Sequence, residues 1–569
     1  MKSSIETLWQ QAQLEHEQGH LESAQSHCEQ ILDQDPEHAD AHHLLGILFA
    51  QQSDWEGALR HLQQAAVLSP DEPTVHNHLG NAYKNLGRFD EAETQYLHAI
   101  EINDHYAQAQ NNLGSLYHSQ NRFDLALKHY ARAVNYQPDF SIAHINLGML
   151  FLQRGDLKSA ETQFRNVLAL NAGSPLAHYH LGNIDLTHDE LDSAESHYLH
   201  VLQVAPEHIE TLNNLGVIAL KRHQPQIAVD YFSQALAFDN HYFDARNNIA
   251  STFMQFHRYE NALTHYRELI KQKPLDIEVN YNMGVALMSL GYLHEAVLHF
   301  ETVLKQQPQH ADALANLGSV HLRLGDKEQA QKDFEAALSI NPNQPATAFM
   351  LEALRGQNTP TQAPYEYVHS LFENYAEQFD RHLQQRLHYQ IPAHIRRAIQ
   401  AWSKLELAQW DICDLGCGTG LSGESLLPFS KHIIGVDLSQ GMLDVAQGKS
   451  LYNELICDDL DHFLTTTNQQ FDLIVAADVL GYLGDLETVF AHIHQALKPG
   501  GLFAFSIEMS ETSPYILQST ARFAHSLSYI KHLAEQQHWQ WCSSETLIGR
   551  VQDDKPLHVN IVILQRPSS

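Results

Sequence analysis

A period of 34 residues, held without slippage over the first 344 positions, limits what this chain can fold into more than any other feature. Leu-Gly pairs stand at 45/46, 79/80, 113/114, 147/148, 181/182, 215/216 and 317/318, with Ile249-Ala250 and Met283-Gly284 as variants in the same phase. An alanine follows each second position by twelve residues, from Ala58 to Ala330. Four further on come Tyr96, Tyr130, Phe164, Tyr198, Phe232, Tyr266, Phe300 and Phe334, and prolines close many units, at 36, 70, 138, 206, 274, 308 and 342. Such a unit reads as two helices that cross closely where Gly and Ala are small, with the aromatics filling the space between units. Proline lacks an N–H and clashes with the preceding turn, so it stops the second helix. No unit buries its apolar face alone, so stacking has to supply the core. The expected fold of this part is all-α.

These marks resemble the tetratricopeptide repeat, and ten units fit from 5 to 344. The first unit has Gln11-Ala12 where Leu-Gly is expected and reads as a cap. Residues 346–354 continue the pattern as a final helix, and 355–364 have linker composition. The domain boundary is therefore expected within 345–364, ahead of a second domain over 365–569. The resemblance implies a solenoid with a concave groove for a protein or peptide. The residue before each Leu-Gly position is expected on the inner helix, facing that groove. It is Asn112, Asn146, Asn214, Asn248, Asn282 and Asn316. Spaced amides offer a donor and an acceptor to an extended backbone of any sequence. The row is similar to the asparagine ladder of O-linked N-acetylglucosamine transferases, which grips substrate polypeptides; alternatively, Asn is simply a soluble choice at this position. His42, His43, His78 and His180 fall in or near the same register, but 40 histidines are scattered with no tight ligand cluster, so no metal site is expected.

Beyond the repeats, Asp414-Leu-Gly-Cys-Gly-Thr-Gly420 follows Trp410, Ile412 and Cys413 and precedes Gly435-Val-Asp437. This reads as a strand, a glycine-rich turn, a helix start and a second strand ending in an acid. Such an acid can accept two hydrogen bonds from ribose hydroxyls, while the glycines let a ligand lie against backbone. A dinucleotide loop wants G-x-G-x-x-G, and here position 421 is Leu. The leading carboxylate, Asp414, suits a ligand with an ammonium group better than a pyrophosphate, since anions prefer bare helix N-termini. S-adenosylmethionine fits; NAD fits poorly. Together with Gly435-Val-Asp-Leu-Ser439, Phe471-Asp-Leu-Ile-Val475 and Lys498-Pro-Gly-Gly501, the motif resembles a class I methyltransferase over 365–569.

The resemblance implies Asp414, Gly416, Cys417 and Gly418 around the methionine end of S-adenosylmethionine, Asp437 on the ribose and Leu438 beside the adenine. Asp459, followed by Leu460, would approach the exocyclic amine; Asp458 is the neighbouring candidate, and a helix cap is the other role open to Asp459. Strands are expected at 411–415, 432–436, 454–457, 471–476 and 502–507, with helices at 421–428, 441–449, 459–466 and 485–497. That alternation gives a doubly wound α/β domain with a mainly parallel sheet. Runs at 538–546 and 557–564 read as a closing β-hairpin, similar to the reversed final strand of class I methyltransferases.

On the acceptor side, Ala477-Asp-Val-Leu-Gly-Tyr482 lacks the Asn/Asp-Pro-Pro-Tyr motif that grips planar nitrogens, which disfavours nucleobase and glutamine nitrogen. Methyl transfer is an in-line displacement, so the enzyme aligns the nucleophile and, for a protonated acceptor, removes a proton. Asp478 and Tyr482, catalytic candidates, lie where substrate should meet cofactor, orienting the loop being the other role open to Asp478, and Glu508 follows the fifth strand. Two segments resemble a narrower group, bacterial methyltransferases with tetratricopeptide repeats. One, 371–383, is expected as a helix that lids the cofactor. The other, 515–529, places Arg522, His525 and Tyr529 over about two helical turns, a cation, a near-neutral base and a phenol. His525 is the catalytic candidate there, and Arg522 and Tyr529 the substrate contacts.

A formal charge of −33, from 35 basic and 68 acidic side chains, would repel a phosphate backbone, so no nucleic-acid partner is expected. Five cysteines without a C-x-x-C pair suit a reducing cytoplasm. No apolar run approaches the roughly 20 residues that span a bilayer, and Met1-Lys-Ser-Ser-Ile-Glu6 lacks a signal-peptide core. The expectation is an S-adenosylmethionine-dependent methyltransferase whose solenoid recruits a protein acceptor. Its alternatives are a small carboxylate or hydroxyl acceptor with the repeats for docking, and a repeat scaffold with an inert or regulatory cofactor domain.

Overall fold

The structure, a computed structural model, describes residues 2–373, 376–381, 383, 389–403, 409–511, 513–552 and 555–568. Its contacts form two compact units, Met1–Asn248 and Ile249–Ser569. The described residues up to 340 form twenty helices, α1 (Lys2–Glu17) to α20 (Lys327–Ile340), paired as the period demands. A Cβ on Gly80 would stand 2.6 Å from the Tyr96 ring, and one on Gly216 2.4 Å from Phe232. Glycine is therefore the seat of its own unit's aromatic ring, and these rings are fully buried. The rings also reach the next unit, as Phe164 stacks on His180 with centroids 4.9 Å apart.

The histidines are less scattered than they look in the sequence. Pro36, Pro70 and Pro138 carbonyls accept hydrogen bonds from Nε2 of His42, His76 and His144 at 3.1, 2.8 and 3.0 Å. The Nδ1 atoms of the same rings meet His61, Gln95 and Gln163. Each ring thus ties the end of one unit to both helices of the next, and so satisfies polar groups that stacking would otherwise strand. Burial lowers His78, His129 and His180 to about 4. Those imidazoles stay neutral in the folded chain but charge near 6.5 once unfolded. The unfolded chain then binds more protons in the window between, so stability is full above about pH 6.5 and falls as pH drops toward 4. The loss is on the order of 3 kcal/mol for each fully shifted ring. Helical circular dichroism should show the melting midpoint falling steeply between pH 7 and pH 4.5, and a flat midpoint would contradict this account.

After α21 (Pro345–Arg355) come α22 (Tyr365–Glu373), α23 (Ala376–Arg381) and α24 (Ile391–Ser403). Next come β1 (Trp410–Leu415), α25 (Leu421–Leu426), β2 (Ser430–Asp437), α26 (Gln440–Gly448), β3 (Glu454–Cys457), α27 (Leu460–Thr466), β4 (Phe471–Ala476), α28 (Glu487–Ala496) and β5 (Leu497–Met509). The strands run parallel in the order β3-β2-β1-β4-β5. Alternate strand residues face two cores: Cys413, Ile474 and Phe503 lie in one with Phe490 of α28, and Ile412, Leu473 and Ala504 in the other with Ile395 of α24. That period of two, apolar on both faces, is what a sheet covered by helices on each side requires.

Residues 515–529 do not make the two helical turns expected of them. They form a hairpin, β6 (Tyr515–Leu517) with β7 (Phe523–His525), and then α29 (Leu527–Gln536), which starts at the Ser526 cap. The reason is local: Ala521, at φ +59°, closes a turn in which its N–H donates to Gln518 and Gln518 N–H donates to Arg522. Aromatic and branched residues on both sides of that turn then pair as strands. β8 (Gln540–Gln552) and β9 (Lys555–Gln565) close the sheet, with β9 antiparallel to β5. Because β9 holds one edge of β5, β7 pairs on the other, past the end of β4.

The end of the segment read as linker is part of this unit. Gln362 bridges Leu483, Ala363 N–H donates to the Tyr482 carbonyl at 2.9 Å, and Gly484 and Asp485 N–H both donate to the Thr361 carbonyl.

Candidate functional site

The turn between β1 and α25 is built from left-handed glycines, with φ +63° at Gly416, +52° at Gly418 and +92° at Gly420, a conformation in which any other residue is strained. Gly416 has a second reason to lack a side chain: a Cβ there would stand 2.3 Å from Val479, on the loop after β4. Cys417 N–H donates to the Val436 carbonyl and Gly418 N–H to Asp437 Oδ2 at 2.8 Å, while Asp437 Oδ1 accepts from Ser439 N–H at 3.0 Å. Asp437 thus locks the turn to the end of β2. Burial raises its pKa, against the pull of the Ser439 and Gly418 N–H groups.

Asp414 is fully buried beside it. Its Oδ2 accepts from the Tyr452 hydroxyl at 2.7 Å, and no donor among the described residues meets its Oδ1. Burial pushes this carboxyl up to about 7, with Asp437 adding to the rise and Tyr452 opposing it. Two carboxylates in one dry turn, one with an oxygen unmet, call for a cation; a pyrophosphate would add like charge.

Helices α22 and α23 lie over this turn. Glu373 accepts from Ser439 Oγ at 2.7 Å and from Gly441 N–H, and Asp380 binds Lys449 at 2.6 Å and the Thr419 hydroxyl. The lid expected over 371–383 falls here, although residues 374, 375 and 382 lie outside the described residues. Neither Glu373 nor Asp380 belongs to a motif that marks it as a contact in the sequence. Farther along, Asp459 caps α27, accepting from Asp461 N–H at 2.9 Å and His462 N–H at 3.3 Å. Asp458 pairs with His462. Leu438 is half-buried, and Leu460 packs against the core under β1 and β4.

Across the carboxyl ends of β4 and β5 stands a set of paired charges. Asp478, held at φ +64°, receives Arg522 at 2.5 Å on one oxygen and Arg550 at 2.6 Å on the other. Glu508 receives the same two guanidiniums at 2.5 and 2.9 Å. Arg522 also lies over the Tyr482 ring, 4.7 Å from its centroid, and Tyr482 meets Phe372 of α22 edge-on. Asp478, Tyr482 and Arg522 are therefore brought together. His525 is fully buried, with Nε2 3.0 Å from the Gly484 carbonyl and its pKa lowered by burial to about 4. Tyr529 is engaged elsewhere: its hydroxyl donates to Asp485 and accepts from Leu486 N–H at the start of α28. Arg550 was missed, although a lone cation in the run 540–552 is itself a signal.

The ladder asparagines are bonded within the helical repeats. Asn112, Asn146, Asn214 and Asn248 donate Nδ2 to Asn77, Asn111, Asn183 and Asn213 of the preceding unit at 2.8–2.9 Å. Asn316 donates to Tyr281, and Asn282 is half-buried. The row therefore also braces unit against unit. Among the described residues, no group of three or more His, Cys, Asp or Glu could hold a metal ion, and no helix is long and apolar enough to cross a membrane.

Comparison with known proteins agrees with both halves. A methyltransferase-domain family model matches residues 413–505. Tetratricopeptide-repeat models match 71–139, 145–207, 213–277 and 281–345, and a TPR-repeat model matches 47–87. The biotin biosynthesis bifunctional protein BioHC of Saccharophagus degradans is 37% identical over 99 residues, and a ubiquinone biosynthesis O-methyltransferase of Coxiella burnetii is 32% identical over 99 residues. A malonyl-(acyl-carrier protein) O-methyltransferase of Yersinia pestis is 27% identical over 95 residues. Each match takes in 17% of this chain, and the chain spans 18%, 42% and 35% of those relatives.

Proposed function

We propose that this chain, a tetratricopeptide-repeat protein with a methyltransferase domain, moves a methyl group from S-adenosylmethionine to a protein acceptor gathered by its repeats, in the cytoplasm. The carrying observation is Asp414 Oδ1, a buried carboxylate oxygen that no described donor meets, which suits a ligand ammonium. Gly416, Cys417 and Gly418 would lie along the amino-acid end, and Asp437 would receive the ribose hydroxyls beside the two N–H groups it already accepts. When bound, the cofactor supplies a methyl group on cationic sulfur. The carboxylates Asp414 and Asp437 favour that positive charge before transfer.

The acceptor side has a different character. Asp478 is paired to two guanidiniums, which makes it a firm anchor for the loop that carries Tyr482. His525 spends one nitrogen on the Gly484 carbonyl and stays neutral at physiological pH. A second reading, a small hydroxyl or carboxylate acceptor, is favoured by the names of the O-methyltransferase relatives. Cell extract incubated with the full chain and tritiated S-adenosylmethionine, then separated by size, decides between them. Label in the protein fraction is expected. Label confined to small molecules supports the second reading, and no label in either fraction overturns both.

A further inference from the structure

The end of the helical array and the loop that faces the acceptor share one core. Phe349 and Ala353 of α21 are buried with Ala363, Leu517, Ala521 and Phe523. The Phe349 ring lies 5.1 Å from Tyr367 and 6.1 Å from Phe523. Phe523 is on β7, one residue after Arg522, which clamps Asp478 and covers Tyr482. The strand-like contact of Thr361–Ala363 with Tyr482–Asp485 closes the circuit from the other side.

Two glycines in the loop show how tightly it is enclosed. A Cβ on Gly481 would stand 2.6 Å from the Arg522 guanidinium, and one on Gly484 2.8 Å from both the Phe523 ring and the Pro360 carbonyl. The loop is therefore sandwiched between the hairpin and the segment leaving the array, with no room for a methyl group at either point. The cofactor turn touches this loop where Gly416 meets Val479, but takes its hydrogen bonds elsewhere. Its anchors are Asp437, Val436, Glu373 and Asp380.

From this arrangement we infer that α21 and residues 360–363 are positioning elements of the acceptor wall: the last helix of the array sets the loop 478–485, while the cofactor turn keeps its own hydrogen bonds to Asp437 and Val436. The inference rests on the methyltransferase reading for its meaning, since only there is this loop the acceptor wall. It implies that the array is more than a tether. A change in the seat of α21 reaches the acceptor loop through buried side chains and three backbone hydrogen bonds.

The test uses the full chain with Phe349→Ala, and Phe349→Leu as the conservative variant. Amide hydrogen exchange is followed at Gly484 and Asp485, whose N–H groups donate to Thr361, and S-adenosylhomocysteine is titrated in parallel. Phe349→Ala should speed exchange at those two amides about tenfold or more, leave the β1 and β2 amides unchanged and keep the ligand affinity within about threefold. Phe349→Leu should restore most of the protection. Unchanged exchange at Gly484 and Asp485 in Phe349→Ala would overturn the inference. So would a parallel loss of ligand affinity and β1 protection, which would make α21 a general support of the fold. If the unaltered chain binds no S-adenosylhomocysteine, the methyltransferase reading fails, and the exchange result still judges the coupling by itself.

Discussion

Asp437→Ala should lower the affinity of the full chain for S-adenosylhomocysteine about a hundredfold or more, read by calorimetry. The carboxylate accepts Gly418 and Ser439 N–H in the structure, so its removal loosens the turn and takes away the ribose contact together. Hydrogen bonds to a charged group are each worth about 1.5–3 kcal/mol, and about 1.4 kcal/mol is a factor of ten in affinity. Asp459→Ala is the comparison, because its carboxylate is occupied in capping α27. It should change affinity by about threefold or less, since a lost cap costs the helix about 1 kcal/mol. Equal losses in the two variants would mean that Asp459 meets the adenine after all. Unaltered affinity in Asp437→Ala would remove that residue from the site.

The second large effect is on stability. Glu508→Ala takes one countercharge from the buried Arg522 and Arg550, since Glu508 bonds both and is itself 3% exposed. Breaking a buried pair from one side costs about 3–5 kcal/mol, because the remaining charge loses a partner and gains no water in its place. For a unit of this size that is a fall of roughly 10 °C in melting midpoint. Glu328→Ala, which breaks the exposed pair with Lys332, should leave the midpoint within about 1 °C, as surface pairs contribute little. A midpoint for Glu508→Ala as mild as that of Glu328→Ala would show the guanidiniums to be solvated.

Much of the fold could be read before any coordinates. The 34-residue period works because Gly80 and Gly216 have to be small for the rings above them, which ties a sequence mark to a contact. The glycine turn was legible for a similar reason, as left-handed φ values at 416, 418 and 420 admit little else. What escaped was everything set by partners distant in the chain. Arg522, His525 and Tyr529 carry helical spacing, yet a turn at Ala521 and an open edge of β5 put His525 on a strand and Arg522 just ahead of it. Asp478 reads as a residue at the meeting of substrate and cofactor, and its pairing with Arg550, seventy-two residues away, is invisible in the sequence. The asparagines read as groove contacts, and their spacing of 34 equally lets each bond its neighbour sideways. Thr361–Ala363 has linker composition because its bonds are made by backbone, which composition does not report.

The central claim is that the turn around Asp414 and Asp437 holds an adenosine-linked sulfonium compound. Its most direct test is calorimetric titration of the full chain with S-adenosylhomocysteine and, separately, with NAD. The account predicts one-site binding of S-adenosylhomocysteine with Kd on the order of micromolar and no heat from NAD. Binding of NAD in its place, or no response to either, would contradict it.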